Sequence, residues 1–279
     1  MRQILPADAA GTQISEPGDS AAGQAGLAAI AALYAYPPSG RPWLRANMVS
    51  SADGAATLDG RSGGLSGGAD QAVFSVLRSL ADVIVVGAAT ARVERYRPVT
   101  LAEAWPPLRE GRPATPPIAV VTRRMFGLEP GGPLLSAGPG QARTIVLTSQ
   151  AAPAALREAV ARTADVIVAG AHEVSPAALI SVLAGRGYRA ILTEGGPRLL
   201  AEFTAAGLLD ELCLTISPVL AGGQAGRIVA APPEPASAGP PRPAEPPGPA
   251  STPGPAGLAL AHVLEDNGHL LCRYLRAAG

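Results

Sequence analysis

The feature that most constrains the fold is a run of almost uninterrupted apolar residues, ADVIVVGAAT at positions 81–90. A strand with one face in solvent would alternate in polarity, whereas a strand covered on both faces is apolar throughout. Similar short runs recur at 117–124, 143–150, 164–171 and 188–196, and stretches compatible with helices separate the later ones. Alternating strands and helices predict an α/β fold, with a mostly parallel central sheet and helices on both faces.

The charged residues exclude several classes of function. Twenty-two basic residues balance 22 acidic ones, so no overall field draws the chain to nucleic acid or to an anionic membrane. Every basic residue is an arginine. A chain without lysine can neither form a Schiff base with pyridoxal phosphate nor supply the lysine of a phosphate-binding P-loop.

The sequence predicts neither a metal centre nor a membrane span. Cys213 and Cys272 each lie in an apolar, strand-like run, which indicates buried reduced thiols, and the three histidines are scattered without zinc-ligand spacing. No apolar run reaches the roughly 18 residues that a membrane helix needs. The first residues also lack the apolar core of a secretory signal, so we expect a cytoplasmic protein.

Composition divides the chain into an arm, one domain and one inserted loop. Residues 1–36 mix Ala, Gly and polar residues and predict a flexible, loosely attached N-terminal arm. Residues 37–279 form the domain. Within it, residues 231–257 hold 11 of the 29 prolines and predict an extended loop. Two strand-like runs flank the turn at 266–268, whose Asn-Gly pair predicts an antiparallel hairpin at the C-terminal end.

Two strand-to-helix turns carry glycines that suit phosphate binding, EGGP at 194–197 and GAAT at 87–90. Glycines let a phosphate approach the backbone closely, and the free N–H groups at a helix start attract anions. Pro197 occupies a first helical turn without removing a needed donor. Two such turns in one sheet suit the pyrophosphate of a dinucleotide, although each alone also fits a tight connection and neither matches G-x-G-x-x-G.

Polar residues at two further strand ends extend this hypothesis. Thr122 and Arg123 come directly after a buried run, where an arginine can bind the 2′-phosphate that distinguishes NADPH from NADH. Asp53 lies beside Gly54 at the end of another strand. A carboxylate there could orient a substrate or relay a proton, and it equally fits an ordinary Asp-Gly turn.

In chain order, NMVSSADGAATLDGRSG, LRSLADVIVVGAATAR, VVTRR and TEGGPRLLAEFTAAGLLDELCLTISPVLAGG resemble the reductase family of riboflavin biosynthesis. This family is the C-terminal half of the bifunctional deaminase-reductase, and the resemblance covers residues 41 to about 229 and the terminal hairpin. Nothing in the chain resembles the zinc signature of the deaminase half. The family implies a three-layer fold like that of dihydrofolate reductase, with a C-terminal antiparallel hairpin.

The resemblance implies an NADPH-dependent reductase that acts on a substrate like 5-amino-6-(5-phosphoribosylamino)uracil. Hydride would pass to the sugar carbon in its ring-opened imine form, and Asp53 and Glu194 would act at the reacting centre. The implied cofactor-binding residues are Gly87, Thr90, Thr122, Arg123, Gly195, Gly196 and Pro197. The implied substrate-binding residues are Asn47, Ser51 and Ser66. Family members commonly pair through edge strands, which implies a homodimer.

Departures from the family pattern leave the substrate open. Asn47 occupies the position where the family has a lysine. Gln71 or Ala72 occupies the position where the riboflavin-biosynthesis enzymes have an arginine that binds the substrate phosphate. Arg95 or Arg97 could compensate. A dihydrofolate reductase analogue or a reductase of another heterocycle is therefore an alternative, and an NADPH-binding protein without turnover is an alternative of another class.

Overall fold

The computed structural model describes residues 1–6, 11–15, 20–230 and 256–277, which contain ten strands and six α-helices. The strands are β1 (Arg2–Leu5), β2 (Trp43–Ser51), β3 (Val83–Gly87), β4 (Ile118–Val121), β5 (Ile145–Thr148), β6 (Asp165–Val168), β7 (Ala190–Thr193), β8 (Glu211–Ser217), β9 (Leu258–Asp266) and β10 (His269–Arg276). The helices are α1 (Ala21–Leu33), α2 (Gly68–Leu80), α3 (Ala88–Val93), α4 (Ala154–Ala161), α5 (Pro176–Gly185) and α6 (Pro197–Ala205).

All ten strands belong to one sheet, in the order β1-β9-β10-β8-β2-β7-β3-β4-β5-β6. The seven strands from β8 to β6 in this order pair in parallel, and β1, β9 and β10 are antiparallel to their neighbours. The mostly parallel sheet and the C-terminal hairpin confirm the predicted fold class. Among the described residues, no helix is both long and apolar enough to cross a membrane.

Alternate residues of the central strands feed two separate cores, which explains why these strands are apolar throughout. Ile84 and Val86 of β3 point to the core that α1, α2, α3 and α4 cover. Val83 and Val85 point to the core on the other face, which α5 and α6 cover. Successive side chains of a strand face opposite sides of a sheet, so both faces need apolar residues. The fold therefore has three layers.

The C-terminal hairpin forms as the Asn-Gly pair predicts. Asn267 and Gly268 both have positive φ, 47° and 81°, as a tight two-residue hairpin turn requires. Cys213 on β8 and Cys272 on β10 are both buried and unpaired, as predicted. The predicted proline-rich loop, 231–257, lies outside the described residues except for its last two positions.

The predicted flexible arm is wrong for the described part of the N-terminal segment. β1 pairs with β9, and the N-terminal ammonium of Met1 lies 3.0 Å from a carboxylate oxygen of Asp266. α1 packs on α2 and buries Ile30 and Tyr34 completely or nearly so. Tertiary burial fixes this segment, although its Ala- and Gly-rich sequence carries little amphipathic pattern.

A buried charge cluster joins β2, β8 and β10 beneath α1. The carboxylate of Glu211 accepts hydrogen bonds from Arg273 at 2.7 Å and from the indole N–H of Trp43 at 2.9 Å. Arg45 lies fully buried, with its Nε 2.7 Å from the same carboxylate. Removing the Glu211 carboxylate would leave the buried guanidinium of Arg45 uncompensated, so Glu211 is the member on which this cluster depends.

His262 of β9 lies at the edge of this cluster. Its ring packs edge-on against Tyr34 with centroids 4.7 Å apart, and its Nε2 has no hydrogen-bond partner among the described residues. Burial, helped by the nearby charge of Arg273, lowers the pKa of His262 from 6.5 to about 4. The imidazole is therefore neutral in the folded protein at neutral pH.

We predict that acid destabilises the fold through His262. The unfolded chain binds a proton below its pKa of 6.5, whereas the folded chain does so only below about 4, so stability falls as pH decreases across that window. At about 1.4 kcal/mol per pKa unit, the loss reaches about 3 kcal/mol. Denaturant unfolding of His262→Gln at pH 7 and pH 4.5 should show a smaller acid loss than the wild type.

The exposed His172 supplies the matched control, since His172→Gln should keep the wild-type pH dependence. An equal acid loss in the wild type and in His262→Gln would contradict this assignment.

Candidate active site

The carboxyl ends of the parallel strands bring the predicted motifs to one edge of the sheet. β7 lies between β2 and β3, and β4 follows β3 on the other side. The register pairs Val85 with Thr193 and Gly87 with Val121. The turns that follow β7, β3 and β4 are therefore neighbours at this edge, which is where open α/β sheets bind ligands.

The two glycine turns touch each other directly. The N–H of Gly87, the last residue of β3, donates to the carbonyl of Gly195 at 3.0 Å, which continues the pairing of β3 and β7 beyond the end of β7. A Cβ on Gly196 would meet the Oγ1 of Thr90 at 2.8 Å. Gly195 has a φ of +89°, which disfavours any other residue. The double glycine thus serves two needs, a left-handed turn and close approach to α3.

The turn after β7 ends in a helix start that suits an anion. Gly196 caps α6, and Pro197 is its first residue. The first N–H groups of a helix lack partners within it and carry partial positive charge. Gly196 itself brings no side chain to this helix start, and the hydroxyl of Thr90 lies beside it, so a phosphate that approaches these groups would also meet that hydroxyl.

Thr122 and Arg123 follow β4 at the same edge but differ in what they do. The Oγ1 of Thr122 accepts the N–H of Met125 at 2.9 Å, so this buried side chain shapes the turn. The carbonyl of Arg123 accepts the hydroxyl of Ser149 at 2.9 Å, which fixes its backbone. The guanidinium of Arg123 is exposed and has no side-chain partner among the described residues. It is available for a ligand.

Glu194 lies at the centre of a buried hydrogen-bonded cluster. Arg78 of α2 donates to both carboxylate oxygens at 2.7 Å, and the hydroxyl of Tyr96 donates to one of them at 2.7 Å. Although burial opposes the charge of Arg78, the Glu194 carboxylate holds its pKa above the ordinary value. Burial likewise raises the pKa of Tyr96 well above its ordinary value, so its hydroxyl stays a donor.

Two adjoining cavities meet at Glu194, and we name them by the helices that line them. The α2 cavity, about 260 Å³, lies against the first turns of α2 and includes Asn47, Ser66, Asp70 and Phe74. The α3 cavity, about 220 Å³, lies against α3 and α6 and includes Thr90, Gly196 and Pro197. The residues that line both cavities are Met48, Ala56, Ser62, Tyr96 and Glu194.

A third space, the arginine-lined cavity, opens beside the α2 cavity. It measures about 500 Å³ and includes Arg95 and Arg97, which are exposed and have no side-chain partner among the described residues. Ser62, Phe74 and Tyr96 line both this cavity and the α2 cavity. An extended ligand could therefore reach from one into the other.

The predicted substrate-binding residues separate into two groups. Asn47 and Ser66 line the α2 cavity. Ser51 is buried outside the lining of both cavities, where its hydroxyl donates to Asp53 and accepts the N–H of Ala55 at 2.8 Å. It shapes the turn after β2.

Asp53 is exposed on this turn, and it is not among the residues that line the three cavities. Its carboxylate accepts the N–H groups of Ala221 at 3.0 Å and Gly222 at 2.8 Å. Hydrogen bonds from Ser51, Ala221 and Gly222 lower the pKa of Asp53 to about 2. Asp53 therefore links the turn after β2 to the loop after β8 through hydrogen bonds. Its role at the reacting centre stays a prediction.

Sequence reasoning missed Asp70, Arg78 and Tyr96. Arg78 and Glu194 are 116 residues apart in the chain, so no local motif links them. For Asp70 and Arg78, the available sequence signal is that two charged residues lie among the buried positions of α2.

Similarity to known proteins extends over about two thirds of the chain. The family model of the RibD C-terminal domain matches residues 42–238. A 2,5-diamino-6-ribosylamino-4(3H)-pyrimidinone 5′-phosphate reductase from Methanothermobacter thermautotrophicus is 28% identical over 187 residues, which are 67% of this chain and 82% of that protein. An enzyme of the same name from Archaeoglobus fulgidus is 28% identical over 186 residues, 66% of this chain and 84% of that protein.

Solved structures show the same fold. A pyrimidine reductase-like protein from Corynebacterium diphtheriae superposes with a TM-score of 0.70 at 25% identity, covering 85% of this chain and 93% of that one. RibD from Acinetobacter baumannii superposes with a TM-score of 0.61 at 18% identity, covering 86% of this chain and 59% of that one, and it supports the fold alone. Because the family model spans more than half of the sequence, the chain belongs to the RibD C-terminal domain family.

Proposed function

We propose that this protein is an NADPH-dependent reductase of the riboflavin-biosynthesis type, which reduces a ribosylaminopyrimidine 5′-phosphate. The observation that carries the proposal is the contact between the two glycine turns, next to cavities that share the buried Glu194. The pyrimidine reductases among its relatives support the same reaction class.

The residues at the sheet edge fit a dinucleotide. Gly87 brings no side chain to this edge and has only the carbonyl of Gly195 near its Cβ position, and the first turn of α6 offers N–H donors to a pyrophosphate. Thr90 and Pro197 line the adjacent α3 cavity, where a nicotinamide could lie against Glu194. NADPH, when bound, supplies a hydride.

The chain's own side chains would hold the substrate in the α2 cavity and the arginine-lined cavity. The heterocycle would lie in the α2 cavity with Asn47 and Ser66, and Arg95 and Arg97 would bind the phosphate. Glu194, fixed by Arg78 and Tyr96, would accept a hydrogen bond from the ring-opened sugar chain. Such fixed partners hold the reacting carbon in place without reorganisation during the reaction.

Two features of the proposal concern the whole protein. A homodimer stays a prediction: β1 covers part of β9, while Leu258 and Leu260 on β9 remain about 40% exposed. Molar mass in solution checks it against the 28.0 kDa of one chain. A cytoplasmic location also stays a prediction.

We predict that the purified protein oxidises NADPH in the presence of a ribosylaminopyrimidine phosphate and that Glu194→Gln lowers kcat/KM on the order of 100-fold. The Gln amide has one acceptor oxygen where the carboxylate has two. It therefore cannot accept the Arg78 donors, the Tyr96 hydroxyl and a hydrogen bond from the substrate at once. The affinity for NADPH, measured by calorimetry, should change less than about threefold, which separates a local defect from unfolding. Glu158→Gln on the exposed face of α4 is the control.

The same assay with dihydrofolate distinguishes the alternatives. Turnover of dihydrofolate alone would favour a dihydrofolate reductase analogue. Binding of NADPH without oxidation by any tested heterocycle would favour a nucleotide-binding protein without turnover, and the reductase proposal would fail.

We predict that Arg123 discriminates NADPH from NADH. Charge-assisted hydrogen bonds from arginine to phosphate contribute about 1.5–3 kcal/mol, so Arg123→Ala should raise the Kd for NADPH roughly 10- to 100-fold. The Kd for NADH should change little, because NADH lacks the 2′-phosphate. Arg157→Ala on α4 serves as the matched control; an equal loss for both cofactors would contradict this role.

A further inference from the structure

A fourth space, which we name the loop cavity, lies between α3 and the segment 127–135 that follows β4, and the proposed reaction gives it no role. It measures about 320 Å³, at the lower end of the roughly 300–1,000 Å³ of ligand sites, so it suits one or two fused rings. Its floor is apolar and continues the core that α3 covers. The floor consists of Ala88, Ala91, Leu128, Leu134 and Leu135.

The rim of the loop cavity is positively charged. Arg92, Arg95 and Arg97 line it, whereas Glu129 is the only acidic side chain among the described residues that do so. All three arginines are exposed, and none forms an ion pair with the described residues. Their N–H groups are therefore open to the oxygens of a phosphate, which guanidinium groups bind in a forked geometry.

Arg92 is held at this rim without losing its charge. Its guanidinium lies 5.9 Å from the centroid of the Phe126 ring. It also lies against Gly127, where a Cβ would meet its Nη1 at 2.5 Å. Contact with an aromatic ring places a guanidinium but does not neutralise it, in contrast to an ion pair. Among the four cavities, Arg92 lines the loop cavity alone, so it distinguishes this space from the substrate cavities.

We propose that the loop cavity is a second ligand site, which binds a planar molecule of one or two fused aromatic rings that carries a phosphate. The rings would lie on the apolar floor and the phosphate at the arginine rim. Arg95, Tyr96 and Arg97 line both this cavity and the arginine-lined cavity, so the ligand would compete with the substrate phosphate for the same guanidinium groups. This antagonism rests on the proposed function, whereas binding of the ligand does not.

The binding test uses three probes: 1-naphthyl phosphate, 1-naphthol with the rings alone, and inorganic phosphate with the anion alone. In calorimetry of the full chain with saturating NADP⁺, 1-naphthyl phosphate should bind at least about 10-fold more tightly than either other probe, because only it contacts both floor and rim. Arg92→Ala should raise its Kd roughly 10-fold. Arg162→Ala, an exposed position at the end of α4, is the matched control and should leave the Kd unchanged.

Leu134→Ala tests the floor independently of the rim. It should raise the Kd for 1-naphthyl phosphate about threefold and leave the Kd for inorganic phosphate unchanged. An unchanged Kd for 1-naphthyl phosphate in Arg92→Ala would overturn the proposal. Sensitivity to Ser66→Ala in place of Arg92→Ala would also overturn it, because the probe would then lie in the α2 cavity. So would displacement of the probe by NADP⁺, because the loop cavity would then belong to the cofactor site.

Kinetics test the antagonism. With NADPH and a ribosylaminopyrimidine phosphate, 1-naphthyl phosphate should raise KM without changing kcat. Arg92→Ala should raise the inhibition constant roughly 10-fold and leave KM in the absence of the probe unchanged. Inhibition that is equally strong in Arg92→Ala would overturn the antagonism.

The two experiments also separate this proposal from the proposed function. Binding of 1-naphthyl phosphate that depends on Arg92, without NADPH oxidation by the substrate, would refute the reductase and leave the second ligand site intact. Turnover of the substrate without any binding that depends on Arg92 would leave the reductase and refute the second site.

Discussion

The hydrogen bond from the N–H of Gly87 to the carbonyl of Gly195 is the interaction on which the site depends. It joins the turns after β3 and β7, so that two helix starts that are distant in sequence face one space. In the turn that accepts this bond, the backbone of Gly195 has a φ of +89° and the backbone of Gly196 passes close to Thr90. Two consecutive glycines permit both features, and the parallel pairing of β7 with β3 places the two turns next to each other.

A buried ion pair extends this arrangement from the cofactor side to the substrate side. Arg78 projects from α2 and binds Glu194 at the end of β7, and Tyr96, in the segment after α3, completes the contact. Breaking such a pair leaves an uncompensated buried charge, so the three elements are held in a fixed relation. The α2 and α3 cavities therefore meet at one carboxylate that is held by partners from two other elements.

The sequence was informative where one residue type answers a local physical demand. Strands buried on both faces must be apolar throughout, and a left-handed turn against a neighbouring helix needs glycine, so the central sheet and the double-glycine turn could be predicted. The N-terminal segment could not, because its position depends on contacts such as that between Met1 and Asp266. The sequence of this segment has little amphipathic periodicity of its own.

Side-chain roles were predictable only in part, because partners come from distant parts of the chain. The sequence predicts Asp53 as a carboxylate at a strand end. In the structure, its two carboxylate oxygens accept the N–H groups of Ala221 and Gly222, which lie 168 and 169 residues further along the chain. The pairing of Arg78 with Glu194 likewise depends on how α2 packs against the sheet. No local spacing encodes these relations.

The most direct test of the account is a crystal structure of the protein with bound NADP⁺. We expect the pyrophosphate to lie within hydrogen-bond distance of N–H groups in both glycine turns, with the nicotinamide in the α3 cavity beside Glu194. A coenzyme bound elsewhere, or one that contacts only a single turn, would contradict the central claim that the two turns form one cofactor site.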